Sequence, residues 1–151
     1  METIDSRNLD SRFKYDVAGR PGGENIKFCF ACGTCTAGCP VSEVDPDFNP
    51  RKIIRQILLG MRREVLSSPL IWRCVQCYSC TAKCPQDVKF RGIVKSLREM
   101  AVDEGLADGS LIEKVATIDR LSQKVRRSMA AALLDDPKKF EELKKKAEQL
   151  V

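Results

Sequence analysis

Twelve residues that occur twice constrain this chain more than anything else in it. Cys29-Phe-Ala-Cys32-Gly-Thr-Cys35-Thr-Ala-Gly-Cys39-Pro40 returns 45 residues later as Cys74-Val-Gln-Cys77-Tyr-Ser-Cys80-Thr-Ala-Lys-Cys84-Pro85, with seven of twelve positions identical. The two copies hold all eight cysteines of the 151-residue chain, and there is no histidine. Histidine acid–base catalysis, histidine-ligated zinc, Rieske centres and histidine-ligated haem are therefore excluded. Disulfides would suit an oxidising compartment. The opening stretch, Met1 to Asp10, carries Glu2, Asp5 and Arg7 and has no apolar core, so it does not read as a secretory signal. A cytoplasmic setting is expected, where thiols stay reduced and clustered thiols ligate metal.

Both copies read C-x2-C-x2-C-x3-C-P, the ligand run of bacterial-type ferredoxins. A cubane 4Fe–4S cluster presents four irons at the corners of a tetrahedron. Three thiolates at two-residue gaps wrap a tight turn around three corners and aim backbone N–H groups at the sulfurs. The fourth cysteine leaves in another direction, and proline turns the chain away. Zinc sites more often use two C-x2-C pairs separated by a longer loop. In two-cluster ferredoxins the fourth cysteine of each run ligates the other cluster. On that pattern Cys29, Cys32, Cys35 and Cys84 hold one 4Fe–4S cluster, and Cys74, Cys77, Cys80 and Cys39 hold a second. The exchange links the two motifs through iron, so neither is expected to fold well without metal.

The formal charge of +5 changes once clusters are counted. Each oxidised cubane core of about +2 with four thiolates contributes about −2, which brings the loaded chain to about +1. The lysines and arginines then read either as a solvated face or as a docking surface for an acidic partner. Gly33 and Gly38 leave room in the first motif where Tyr78 and Lys83 stand in the second. A nearby cation stabilises a reduced cluster, so the second cluster is expected to have the higher potential, raised partly by Lys83. Phe28, Phe30 and Trp72 flank the ligands and are expected to shield and pack.

The remaining pattern is helical. Ile26 and Phe28 alternate with polar neighbours, which points to a short strand, in a stretch otherwise read as irregular through residue 27. Asn49-Pro50 opens a helix of about three turns. In it Ile53, Ile54, Ile57, Leu58 and Met61 recur at helical spacing, with Arg51, Lys52, Arg55, Arg62 and Arg63 on much of the other face. Asp87 is placed to cap a longer helix with Phe90, Ile93, Val94, Leu97, Met100 and Ala101 inside, stopping at Gly105. A third helix spans about Ser110 to Leu134, with Leu111, Val115, Ile118, Leu121 and Val125 on one stripe. Asp136-Pro137 starts a last one, with Phe140, Leu143, Ala147 and Leu150 on one side and Glu141–Lys145 and Glu142–Lys146 as i, i+4 pairs. These stripes read as core; the lysine-rich last helix reads as partner docking. No apolar run approaches the roughly 20 residues of a membrane span.

Phe28 to Val41 and Trp72 to Val88, with the helix after Asn49-Pro50 between them, resemble the C-type iron–sulfur subunit of heterodisulfide reductase, over roughly residues 25–105. That resemblance implies a mainly α protein of the α-helical ferredoxin class: an irregular segment over 1–27, a two-cluster domain over 28–105 and a helical extension over 106–151. It also implies a non-catalytic electron-transfer subunit with no catalytic residue of its own. Such a protein relays single electrons in a cytoplasmic hetero-oligomer. On one side stands a large flavoprotein carrying FAD and Fe–S clusters, and on the other a catalytic protein with Cys-Cys-Gly repeats. In methanogenesis the catalytic protein reduces the heterodisulfide of coenzymes M and B. No Cys-Cys pair exists in this chain, so disulfide chemistry is expected in a partner. The alternatives are a relay subunit of another anaerobic oxidoreductase and a free ferredoxin-type carrier. A cluster-bearing sensor that binds nucleic acid is disfavoured, since no helix-turn-helix signature is evident.

Overall fold

The computed structural model describes residues 6–149. The sequence features at Met1, Glu2, Asp5 and Leu150 lie outside them. The elements are α1 (Phe13–Ala18), α2 (Thr34–Ala37), α3 (Pro40–Val44), α4 (Pro50–Leu59), α5 (Arg62–Leu66), α6 (Ser79–Lys83), α7 (Phe90–Asp103), α8 (Ser110–Asp135) and α9 (Pro137–Glu148), with short 3-10 turns at Ser6–Asn8, Ile26–Phe28 and Pro69–Trp72. No strand occurs among the described residues, so the protein is mainly α. The chain divides into two compact units, one ending at Ile112 and the other beginning at Glu113.

In the first unit α4 forms as its sequence requires. The Asn49 side chain accepts the Lys52 N–H (3.0 Å), Pro50 occupies the first turn, and Gly60 closes the helix at φ +85°. Ile53, Ile54 and Ile57 are buried, as the apolar spacing predicts. They share one core with the buried face of α7, which carries Phe90, Ile93, Val94, Leu97, Met100 and Ala101. Asp87 does not cap α7. It sits at φ +50°, and Lys89 at φ +54° precedes the helix. The tight chain reversal after Cys84-Pro85 uses up these residues; Asp87 instead pairs with Lys89 (2.9 Å), and its carbonyl accepts from the Asn25 amide (3.0 Å). Gly105, at φ +68°, lies just past the helix end as expected.

The N-terminal stretch is more ordered than its sequence suggests. Phe13 and Val17, one helical turn apart in α1, are fully buried in the common core. Gly22 runs so close to Gly92 that a Cβ on either would come within 2.8 Å of the other's Cα. The buried Ser96 hydroxyl donates to the Pro21 carbonyl (3.1 Å) across the same contact. The strand expected at Ile26–Phe28 is a 3-10 turn, with Phe28 N–H to Asn25 O at 3.0 Å and Cys29 N–H to Ile26 O at 3.2 Å. With no neighbouring strand, its amides close locally.

Arg62 ties the first unit together from the outside. Its guanidinium meets Asp10 (3.0 Å), Asp16 (2.6 Å) and Glu104 (2.6 Å), and stands 5.3 Å from the Phe13 ring centroid. Individual surface pairs are worth well under 1 kcal/mol, but a shared network over an aromatic ring sums to more. Arg62→Ala is expected to cost about 1–2 kcal/mol in urea denaturation. The loss is also pH-dependent. The Arg12 backbone N–H, followed by Arg62, holds the Asp10 carboxyl below its ordinary value. A carboxylate depressed in the folded state stabilises above its unfolded pKa, and that stabilisation fades as pH falls through the folded value. The penalty of Arg62→Ala should therefore shrink in acid; a pH-independent penalty would contradict this role.

In the second unit the helix boundaries match the sequence closely. The Asp136 side chain accepts the Lys139 N–H (3.2 Å) ahead of Pro137. The expected core does not form along α8, where Ile118 and Leu121 are each 60% exposed and Val125 44%. A helical stripe becomes core only where another element covers it, and periodicity carries no information about that. Phe140, Leu143 and Ala147 of α9 are partly buried. The i, i+4 ion pair closed within 4 Å among the described residues is Lys95–Glu99 at 3.9 Å, on α7 and not on α9. No helix among the described residues is long and apolar enough to cross a membrane.

Candidate metal centre

The sequence repeat is also a backbone repeat. Ala31 (φ +58°) and Gly33 (+86°) in the first motif match Gln76 (+51°) and Tyr78 (+64°) in the second. Left-handed residues alternating with ordinary ones turn successive N–H groups inward, a concavity that suits an anion. Each left-handed residue costs roughly 1–2 kcal/mol unless it is glycine, so three of these four positions are strained. The strained turns lead into α2 and α6, which carry Cys35 and Cys80 and pack on each other. The Ser79 hydroxyl donates to Gly38 O (2.8 Å) between them. The Thr36 hydroxyl donates to Asn49 Oδ1 (3.0 Å) and accepts the Arg51 N–H (3.0 Å), which fixes α2 to the start of α4.

All eight thiols are free, and they border two cavities. The first is lined by Cys29, Cys32, Cys35 and Cys84, with Cys80 also on its wall. The second is lined by Cys39, Cys74, Cys77 and Cys80. Each cavity thus draws cysteines from both motifs, with Cys84 beside the first trio and Cys39 beside the second. The thiols surround the cavities without converging; among the described residues no three Cys, His, Asp or Glu side chains group tightly enough for one ion.

The electrostatics follow the same grouping. Burial pushes the Cys35 thiol up, and the neighbouring Cys29 and Cys32 add to it. Burial also raises Cys74, with Cys39 and Cys77 adding, against the Gln76 N–H and Arg98, which lower it. Cys80 is pushed up to about 11, by burial first and then by Cys74 and Cys77. Cys32 is held low by the Thr34 hydroxyl (3.3 Å) and backbone, with Arg51 nearby. The Val88 N–H donates to Cys84 Sγ (3.4 Å). Buried thiols that resist ionisation, facing N–H donors that favour the thiolate, become thiolates when a multivalent cation displaces their protons. An iron–sulfur core supplies that charge, so the donor set fits such a group.

Several neighbours differ from expectation. Phe28 and Phe30 shield little, since each stands 60% exposed. Gly38 makes room for Lys83 as much as for any metal: a Cβ there would stand 2.8 Å from Lys83 Nζ. Lys83 therefore reaches across to an open cavity it shares with Cys39 and Cys77, thiols of the second group. Sequence reasoning missed Arg91 and Arg98. Arg98 is buried and donates from Nε to Ile71 O (2.9 Å) and from Nη2 to Cys74 O (2.9 Å) and Trp72 O (3.3 Å). Arg91 lines the second cavity. The available signal was their seven-residue spacing, which sets both on the α7 face that carries buried Val94.

Residues 25–88 match the 4Fe-4S dicluster domain family. The chain is 39% identical over 98 residues to the C-type subunit of the H(2):CoB-CoM heterodisulfide,ferredoxin reductase of Methanothermobacter thermautotrophicus, covering 65% of this chain and 52% of that protein. It is 44% identical over 89 residues to a C-type iron-sulfur subunit of the CoB--CoM heterodisulfide reductase of Methanocaldococcus jannaschii, covering 59% and 47%. It is 42% identical over 96 residues to the C-type subunit of the ferredoxin:CoB-CoM heterodisulfide reductase of Methanosarcina acetivorans, covering 64% and 36%. The chain spans about half the length of the first of these relatives. Residues 25–88 thus match the 4Fe-4S dicluster domain family and hold two thiol-lined cavities under a doubled motif, and the chain is similar to the C-type iron–sulfur subunits of heterodisulfide reductase.

Proposed function

We propose that the chain is an electron-relay subunit of a heterodisulfide reductase or a related cytoplasmic complex. In this reading Cys29, Cys32, Cys35 and Cys84 hold one 4Fe–4S cluster, and Cys74, Cys77, Cys80 and Cys39 the other. Bound clusters supply reversible one-electron uptake; the chain's residues do the rest. The two motif turns present N–H donors to the thiolates, the packing of α2 on α6 holds the motifs against each other, and eight protein thiolates leave no iron open to substrate. The chain accordingly carries no catalytic residue. Its partners are a flavoprotein with FAD and Fe–S clusters and a catalytic protein with Cys-Cys-Gly repeats. Residues 28–105 form the cluster domain and 106–151 an extension. The observation that carries the reading is the crossed sharing of cysteines between the two cavities.

Single-ligand variants test that crossing. Cys84→Ser is expected to perturb the cluster whose other ligands are Cys29, Cys32 and Cys35, although it lies in the second motif. Cys39→Ser is expected to perturb the other. Paired variants read the result: Cys84→Ser with Cys32→Ser damages one electron paramagnetic resonance signal and spares the second, whereas Cys84→Ser with Cys77→Ser damages both. The reverse pattern refutes the crossed set, and iron well below eight per chain in the anaerobic wild type refutes two clusters. Copurification from anaerobic cells with a flavoprotein and a Cys-Cys-Gly protein supports the complex; a lone monomer favours the free carrier.

A further inference from the structure

Arg91 and Arg98 are alike in sequence setting but spend their N–H groups differently. The bonds of Arg98 run to main-chain carbonyls, so it braces the chain behind Cys74. Arg91 donates from Nη2 to Gln76 Oε1 (2.7 Å), and its guanidinium lies 4.4 Å from the Tyr78 ring centroid. Its Nε is sealed from solvent and has no hydrogen-bond partner, the one such side-chain atom among the described residues. A buried donor without an acceptor is rare enough to need an explanation. The same side chain lines the cavity bordered by Cys39, Cys74, Cys77 and Cys80. Both residues that grip it, Gln76 and Tyr78, sit at the strained positions of the second motif. Their counterparts in the first motif, Ala31 and Gly33, can neither accept from nor stack on a guanidinium through a side chain, so this clamp exists at one cavity alone.

We propose that Arg91 makes the second cavity the electron sink of the chain: its clamped Nε–H is held for a sulfur of the cluster bound there, and its fixed charge favours that cluster's reduced state. The inference rests on the two-cluster reading and gives the relay a direction, from the first cluster to the second. Reduction adds one negative charge to a cluster, and a partly buried cation whose inner nitrogen is sealed from solvent is screened less than an exposed one. Buried Arg98, behind Cys74, adds to the positive surroundings of the same cavity without a free N–H toward it, whereas Arg51 beside the first cavity and Lys83 beside the second are exposed to water.

The test uses the full chain, reconstituted anaerobically, with both midpoint potentials read from electron paramagnetic resonance at poised potentials. Arg91→Gln is expected to lower the higher potential. At the wild-type midpoint the reduced-to-oxidised ratio of that cluster should fall about tenfold, which is 59 mV for a one-electron couple. The lower potential should stay nearly fixed, and Arg91→Lys, which keeps the charge without the clamped Nε–H, should recover part of the shift. An unmoved higher potential in Arg91→Gln with both clusters present overturns the proposal, as does a shift confined to the lower couple. Should Arg91→Gln load poorly, Gln76→Ala releases the same guanidinium with its charge intact. A fall in the higher potential then supports the proposal, and no change overturns it. A wild-type chain without 4Fe–4S signals is a different result: it refutes the two-cluster reading, and the proposal falls with it.

Discussion

Stripping iron from the loaded chain should release the two motif segments while α7 stays protected. Helices of four and five residues, α2 and α6, are far below the roughly 12–15 residues at which an isolated helix becomes even marginal in water. They are entered through left-handed turns at Ala31, Gln76 and Tyr78 that each cost roughly 1–2 kcal/mol. What opposes release is packing against α4 and α7, which are built on fully buried residues such as Ile57, Ile93 and Leu97. Of the thiols only Cys80 is buried within that core, so the effect should be local. Amide exchange measured by mass spectrometry should rise by at least about a hundredfold, or about 2.7 kcal/mol, across residues 29–39 and 74–84 after anaerobic chelation. Exchange in α7 should change far less. Unchanged protection in both motif segments of an iron-free chain would show that metal is not what holds the turns.

This division between the motif turns and a packed core is also where the sequence was easiest and hardest to read. The cysteine spacing pointed to the two ligand runs residue by residue, because such runs repeat a local backbone geometry and the 45-residue offset reproduces even the positive φ angles. Helices α4, α7 and α9 were legible because their stripes and the caps or stops at their ends are local signals. What escaped detection depends on distant partners. Phe13 and Val17 carry a signal only one turn long, too short to separate α1 from an irregular stretch. The stripe on α8 looked like core, yet nothing in its own residues says whether another element covers it. Asp87 looked like a cap, but the reversal after Cys84-Pro85 consumed it. Lys83 was assigned an influence on the second cluster from its motif position; its reach over Gly38 toward Cys39 and Cys77 comes from the packing of α2 on α6.

Arg98→Met should be the most destabilising substitution outside the cysteines. The guanidinium is 4% exposed and serves three carbonyls, those of Ile71, Trp72 and Cys74, with its charge centre 5.6 Å from the Trp72 ring centroid. Two effects compete. Methionine fills similar volume and removes a buried charge, whose burial already pulls the Arg98 pKa down; replacing buried ions by apolar groups is sometimes neutral or stabilising. That outcome applies when both partners are replaced. Here the acceptors are main-chain oxygens that no substitution removes, and each one left bare costs about 1–3 kcal/mol. Three such penalties, offset in part by relief of the buried charge, leave a net loss of about 3 kcal/mol in urea denaturation of the loaded chain. Arg98→Lys should recover less than half, because an ammonium cannot spread its donors over carbonyls that a planar fork spans. Because those carbonyls position the segment that ends in Cys74, the loss should come with faster cluster release, followed as bleaching in the visible spectrum under chelator. A stable, slowly bleaching Arg98→Met chain would mean that the Pro69–Trp72 turn holds Cys74 in place without help from α7.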